Sequence, residues 1–236
     1  MNFEKDPIGY AIWDFSTNNS TENIIVESDL CDDDILPPPY LFRTFEEMPE
    51  LEQLALKNAQ GKILDIGGAA GCHAQYLSSI EKDVLSIDIS QGAVDFMISE
   101  GINAEKIDVL DLNDKKFDTI LILMNGLGIA GTLAKMKFFL EHLKSILSEN
   151  GKIYCDSADI KYMYEDEDGG LWMDLNAEYY GEMKFNMKYK TIESGWFDWI
   201  YIDQEKLQDV CKTVGLKCDI IFEGEQQNYL AQLTHL

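Results

Sequence analysis

Positive charge is scarce in this chain: 19 Lys and Arg stand against 43 Asp and Glu, a formal net charge of −24. Such a surface repels phosphate backbones and anionic membranes, so neither nucleic acid nor a membrane is an expected partner. Small molecules, neutral or cationic, remain the expected substrates. No apolar run reaches the length of a membrane span, and Met1-Asn2-Phe3-Glu4-Lys5-Asp6 lacks the basic-then-apolar order of a secretory signal. A cytoplasmic location is the expectation. The cysteines, Cys31, Cys72, Cys155, Cys211 and Cys218, are scattered and odd in number, which suggests neither a disulfide framework nor a zinc ribbon. Reduced thiols are expected.

Apolar and aromatic residues are plentiful. With 46% hydrophobic residues over 236 positions the chain can bury a real core, and one globular domain is expected, its oligomeric state left open. Residues 1–60 read as an irregular arm, with Asp32-Asp33-Asp34 as loop and Pro37-Pro38-Pro39 as extended backbone. Only its end looks regular: Met48, Leu51, Leu54 and Leu56 predict a helix over residues 46–58 that covers a pocket. The main domain is expected over residues 61–236, with an inserted lid at about 160–202.

From Lys62 strands and helices alternate, as in βαβ units of a parallel sheet. Strands are predicted at residues 63–66, 84–88, 104–109, 117–124 and 151–156, and helices at 72–80, 91–100 and 135–147. Alternating residues over 182–190 and 196–202 predict an antiparallel hairpin, followed by a helix at 204–214 and strands at 217–223 and 229–234.

The first of these strands runs into a glycine-rich turn, Asp65-Ile66-Gly67-Gly68-Ala69-Ala70-Gly71, and Asp88 ends the second strand seventeen residues later. A turn that lets backbone approach a ligand, with a carboxylate beside it for ribose hydroxyls, is a nucleoside pocket. A P-loop needs a Gly-Lys-Ser/Thr ending, which is absent. A dinucleotide fingerprint needs glycine at positions 67, 69 and 72, where two of the three fail.

The turn resembles instead the first motif of class I S-adenosylmethionine-dependent methyltransferases, Asp/Glu-x-Gly-x-Gly-x-Gly, matched by Asp65, Gly67 and Gly71, with Ala69 departing from it beside Gly68. Asp108-Val109, Phe117-Asp118 and the run 148–152 before the fifth strand also look like this family, over roughly residues 61–156. The resemblance implies a Rossmann-like, doubly wound α/β sheet of seven strands, mostly parallel with an antiparallel last strand, and an inserted antiparallel hairpin lid. It implies S-adenosylmethionine as cofactor, held by the turn, with Asp88 on the ribose, Ile89 against the adenine, and Asp108 with Val109 at its amino group. Asn125 and Gly126, after the fourth strand, are expected along the cofactor. Arg43 is a candidate partner for the cofactor carboxylate, the rival reading being a surface pair with Glu46 or Glu47. Catechol-type relatives place aspartates after the fourth strand for magnesium; Met124-Asn125 offers no such cluster, so no metal is expected.

Residues 162–201 hold eleven aromatics interleaved with carboxylates, which favours a cationic or aromatic acceptor. Asp159, Tyr162, Trp172 and Tyr180 are the candidate acceptor contacts, and His73, Asp156 and Tyr179 the candidate bases. For His73 the competing reading is packing at a helix start, and His142 reads as structural. Two other functions stay open. The turn also resembles that of polyamine-forming aminopropyl transferases, although their aspartates after the fourth strand are missing, and a non-catalytic cofactor-binding partner protein would use the first 60 residues as an interaction arm.

Overall fold

The computed structural model describes residues 3–164 and 179–236, so the expectation for Trp172 falls outside the described residues. In chain order the elements are α1 (Pro7–Asn18), β1 (Ile24–Ser28), β2 (Asp34–Leu36), α2 (Glu50–Asn58), β3 (Lys62–Ile66), α3 (Cys72–Ser79), β4 (Asp83–Asp88), α4 (Gln91–Ser99), β5 (Ala104–Lys106), β6 (Phe117–Ile122), α5 (Leu133–Ile146), β7 (Leu147–Ala158), β8 (Glu182–Tyr189), β9 (Ile192–Glu193), β10 (Phe197–Ile200), α6 (Gln204–Val214), β11 (Leu216–Glu223) and β12 (Asn228–His235).

The main sheet has seven strands in the order β11-β12-β7-β6-β3-β4-β5. Only β12 runs against the rest, pairing antiparallel with β7 and β11. Strands covered on both faces must be apolar on both, and their alternation sorts two cores. Leu64, Ile66, Ile120 and Ile122 pack with Phe139, Leu143 and Leu207 of α5 and α6. Ile63, Leu121 and Leu123 pack with Leu56, Leu77 and Met97 of α2, α3 and α4. Each such fully buried side chain contributes about 1.5–3 kcal/mol. The chain leaves β3 toward β4 and β5, then crosses back to β6, so β3 and β6 are neighbours whose connections diverge. That divergence, where the turn after β3 and the segment after β6 meet at the carboxyl ends of the strands, is where an open α/β sheet places its ligand crevice.

The N-terminal segment is more regular than its composition suggests. Asp6 caps α1 by accepting from Gly9 N at 2.9 Å, Pro7 starts it, and Asn19 ends it in the left-handed region. Further on, the helix expected at 46–58 is divided by Pro49, with a 3-10 turn Phe45–Glu47 before it and α2 after it.

The expected hairpin is present, with Phe197 opposite Phe185 and Ile200 opposite Glu182. It does not stand alone. The free edge of β8 pairs with β1, giving a second antiparallel sheet, β10-β8-β1-β2, with β9 also on β8. Ile24 and Tyr189 of this sheet share a core with Ile12 of α1, Ala70 of the glycine turn and Phe96 of α4, against which Ala69, Met124 and Met187 also pack. The second sheet and α1 therefore roof the carboxyl edge of the main sheet.

Candidate functional site

The glycine turn is held from beneath and from the side. Gly67 N and Gly68 N both donate to Ile87 O, at 2.8 and 3.2 Å, and Ala69 N donates to Asp88 Oδ2 at 2.9 Å. Gly67, Ala69 and Gly71 all have positive φ, at 76°, 48° and 84°. Alanine thus follows the left-handed path that the motif ordinarily gives to glycine, at a cost of about 1 kcal/mol. Gly68 is required for a different reason: a Cβ there would lie 2.0 Å from Ser86 Oγ.

Asp88 accepts from Ala69 on one oxygen and from Ser90 N at 2.8 Å on the other, so each oxygen keeps a lone pair for a further donor. Burial raises its pKa. The neighbouring Ile89 is 72% exposed, an apolar side chain open to a flat ligand face. Asp108, exposed, accepts from Leu110 N at 2.9 Å and starts the short turn Val109–Asp111, in which Val109 is buried.

Across the cleft, Met124 and Asn125 are consecutive non-glycine residues with positive φ, 63° and 56°. Asp156 holds this strained pair, both its oxygens accepting from Asn125 N at 3.0 and 2.9 Å, while Ser157 Oγ donates to Asn125 Oδ1 at 2.9 Å. Among the described residues Asn125 Nδ2 is buried without a partner. Gly126 is buried, and a Cβ on it would meet Ile122 Cγ2 at 2.6 Å. Burial pushes the Asp156 carboxyl up to about 7, against the opposing pull of the Asn125 N–H.

Two of the three candidate bases have carboxylate partners. His73 Nε2 lies 2.9 Å from Glu52 Oε2 and its Nδ1 3.6 Å from Asp65 Oδ1. Burial disfavours the charged ring, but Cys72 and the carboxylates of Asp65 and Glu52 outweigh it and raise its pKa well above 6.5. An imidazolium between two carboxylates has no lone pair for an acceptor's proton. Tyr179 donates to Asp203 Oδ2 at 2.6 Å, and burial with that bond raises its pKa, the wrong direction for a base. Asp156, the third candidate, is buried with both oxygens on a backbone N–H and no cationic partner within ion-pair distance among the described residues.

Arg43 makes no surface pair with Glu46 or Glu47; it is buried on Glu52, Nη2 to Oε2 2.7 Å. Of the acceptor candidates, Tyr180 donates to Asp159 Oδ1 at 2.8 Å, which brings these two together. Tyr162 is 58% exposed. Burial pushes the phenol of Tyr201 up to about 12, with nearby acidic groups including Asp34 and Asp156 adding to it. Tyr201 was not singled out by its sequence context, because it is one aromatic in a run of many. Trp199 stacks over Gly128, where a Cβ would lie 2.1 Å from the indole, and contacts Phe185 and Phe197. Among the described residues no group of three or more His, Cys, Asp and Glu side chains is arranged to hold a metal, and no helix is long and apolar enough to cross a membrane.

No family model matches the chain, and the comparison with curated proteins finds no match. Solved structures do match. The chain is 42% identical to an S-adenosylmethionine-dependent methyltransferase from Bacteroides fragilis, crystallised with S-adenosyl-L-homocysteine, with TM-score 0.93 over 100% of this chain and 97% of that one. It shares the fold of a methyltransferase from Clostridium acetobutylicum, at 15% identity and TM-score 0.58 over 78% and 88% of the two chains. It also shares that of the CcbJ methyltransferase from Streptomyces caelestis, at 11% identity and TM-score 0.61 over 81% and 94%. Full-length identity at that first level, on a glycine turn, Asp88 and sheet order of the expected kind, shows that the chain belongs to the class I S-adenosylmethionine-dependent methyltransferases.

Proposed function

We propose that the enzyme methylates a small molecule, an amine or aromatic compound presenting an N, O or S nucleophile, in the cleft between the glycine turn and the second sheet. The observation that carries this reading is a pair of buried donors beside the turn, Arg43 Nε and Asn125 Nδ2, each without a partner among the described residues. Buried N–H groups normally have acceptors, and the carboxylate of a methionine moiety supplies them.

In this assignment the turn's backbone and the remaining lone pairs of Asp88 take the ribose, Ile89 and Val109 flank the adenine, and Asp108 accepts from its amino group. Arg43 and Asn125 hold the methionine part. Bound S-adenosylmethionine supplies a methyl group on a sulfonium whose departure as a neutral thioether needs no protein acid. The protein's work is to exclude water and align the acceptor in line with that methyl. The second sheet and Trp199 close the cleft on the acceptor side. Asp156 takes the proton that the acceptor loses as its new bond to carbon forms.

Calorimetry with S-adenosylmethionine, its demethylated product and its decarboxylated form tests the donor assignment. The carboxylated ligands are expected to bind more tightly, and preference for the decarboxylated form overturns the reading. A panel of amines, phenols and thiols, followed by release of S-adenosylhomocysteine, then tests the acceptor class. Cofactor binding without turnover on any of them would return the chain to a binding role.

A further inference from the structure

Glu52, on the helix that precedes the main sheet, is 2% exposed, and its Oε2 accepts from Arg43 Nη2 at 2.7 Å and His73 Nε2 at 2.9 Å. Arg43 Nη1 donates to Tyr40 O at 2.9 Å, and its guanidinium carbon lies 3.6 Å above the Tyr40 ring. The fork is thus fixed at both tips while Nε, buried, has no partner among the described residues. On the other side of Glu52, His73 faces Asp65, and Asp65 Oδ2 accepts from Ser86 Oγ at 2.8 Å directly under Gly68. Two cations balance two carboxylates. Such buried ion networks seldom stabilise a fold better than well-packed apolar side chains of the same volume, so a local task is the more economical reason for this one.

We propose that Glu52 is a positioning residue for the carboxylate of the cofactor: it locks the Arg43 guanidinium so that Nε is presented to that carboxylate, and through His73 it ties the same lock to the floor of the glycine turn. This rests on the assignment of Arg43 made above. The adenosine end of the ligand should not sense it.

The test compares S-adenosylhomocysteine with 5′-methylthioadenosine, which keeps the nucleoside and thioether but lacks the amino-acid part. In Glu52→Gln the amide oxygen can still meet Arg43 and His73 where Oε2 stood, but it has lost the negative charge that holds the two cations, so the lock on Arg43 loosens. Calorimetry should show S-adenosylhomocysteine weakened at least tenfold and methylthioadenosine changed less than twofold, with KM for S-adenosylmethionine raised more than kcat falls. Equal weakening of both ligands marks a purely structural residue and overturns the proposal, as does unchanged affinity for S-adenosylhomocysteine. If Glu52→Gln does not fold, Glu52→Asp, which keeps the charge but draws it back by one methylene, carries the same comparison. Failure of the unmodified protein to bind S-adenosylhomocysteine at all would instead strike at the cofactor assignment itself.

Discussion

The amide of Ala69 donates to Asp88 Oδ2 at 2.9 Å, so the carboxylate assigned to the ribose also anchors the turn that the ligand approaches. Removing it takes away both functions at once. Asp88→Ala is expected to weaken S-adenosylhomocysteine by about 2 kcal/mol, on the order of 30-fold, and Asp88→Asn by less, because the amide oxygen still accepts from Ala69. Calorimetry on the two variants checks the order. Unchanged binding in Asp88→Ala would remove the ribose assignment.

At φ 48° Ala69 pays for a conformation that glycine adopts freely. Ala69→Gly should therefore raise stability by about 1 kcal/mol, less whatever the freer unfolded chain takes back. Urea unfolding measures it, with S-adenosylhomocysteine affinity unchanged because the turn's path is already the one the ligand meets. A loss of stability would mean that the Ala69 methyl, which packs against the core shared by α1 and the second sheet, matters more than its backbone.

Asp6 joins two helices to Asp88 by way of Ser90. Its carboxylate accepts from Gly9 N at 2.9 Å, Gly92 N at 2.9 Å and Ser90 Oγ at 2.7 Å, and Ser90 N in turn donates to Asp88 at 2.8 Å. Gly9 and Gly92 permit the helices to touch, since a Cβ on either would lie 2.7 Å from the other's Cα. Asp6→Ala is expected to destabilise the protein by about 1–2 kcal/mol through the lost cap. It should also weaken S-adenosylhomocysteine and methylthioadenosine alike, severalfold, unlike the Glu52 variant. A difference between the two ligands would place its effect elsewhere in the cleft.

What local pattern encodes was readable in the residues: the apolar run into the glycine turn, the alternation of strands and helices, and the hairpin at 182–200. The rest depends on contacts that no local pattern carries. Asp6-Pro7 before Ile8, Ala11 and Ile12 is a helix-start signal that could have revealed α1. By contrast, β1 finds its partner in β8 more than 150 residues later, Val26 opposite Met187, and nothing near Val26 announces it. Glu52 looks like a solvated residue of a first helical turn until Arg43 and His73 close on it. His73 and Tyr179 had the right chemistry for bases, and nothing in their local sequence announces the carboxylates, Glu52 and Asp203, that each one meets. Arg43 stood out as one of the few early cations, but its ion-pair partner lay nine residues on, not among the adjacent glutamates.

Asp156 gives the site a pH signature with two opposite readouts. Its folded-state pKa is about 7 against 3.8 for an unperturbed carboxyl. Between those values the folded protein holds a proton that the unfolded chain has lost, so its contribution to stability falls as pH rises from about 4 to 7 and is constant above. Asp156→Asn, whose side-chain oxygen can still accept from Asn125 N, removes that dependence. Relative to the unmodified protein it should gain stability by a few kcal/mol, about 1.4 per pH step, between acid and neutral conditions. Activity should move the other way. If Asp156 is the base, kcat/KM rises with pH up to about 7 and levels off, and Asp156→Asn loses both the rising limb and roughly a hundredfold or more in rate. Denaturant titrations across this range, set beside pH-rate profiles, separate the two effects. A variant that gained the predicted stability yet kept a rising limb of the same midpoint would leave Asp156 as a buried brace for Asn125 and send the search for the base to another group in the cleft.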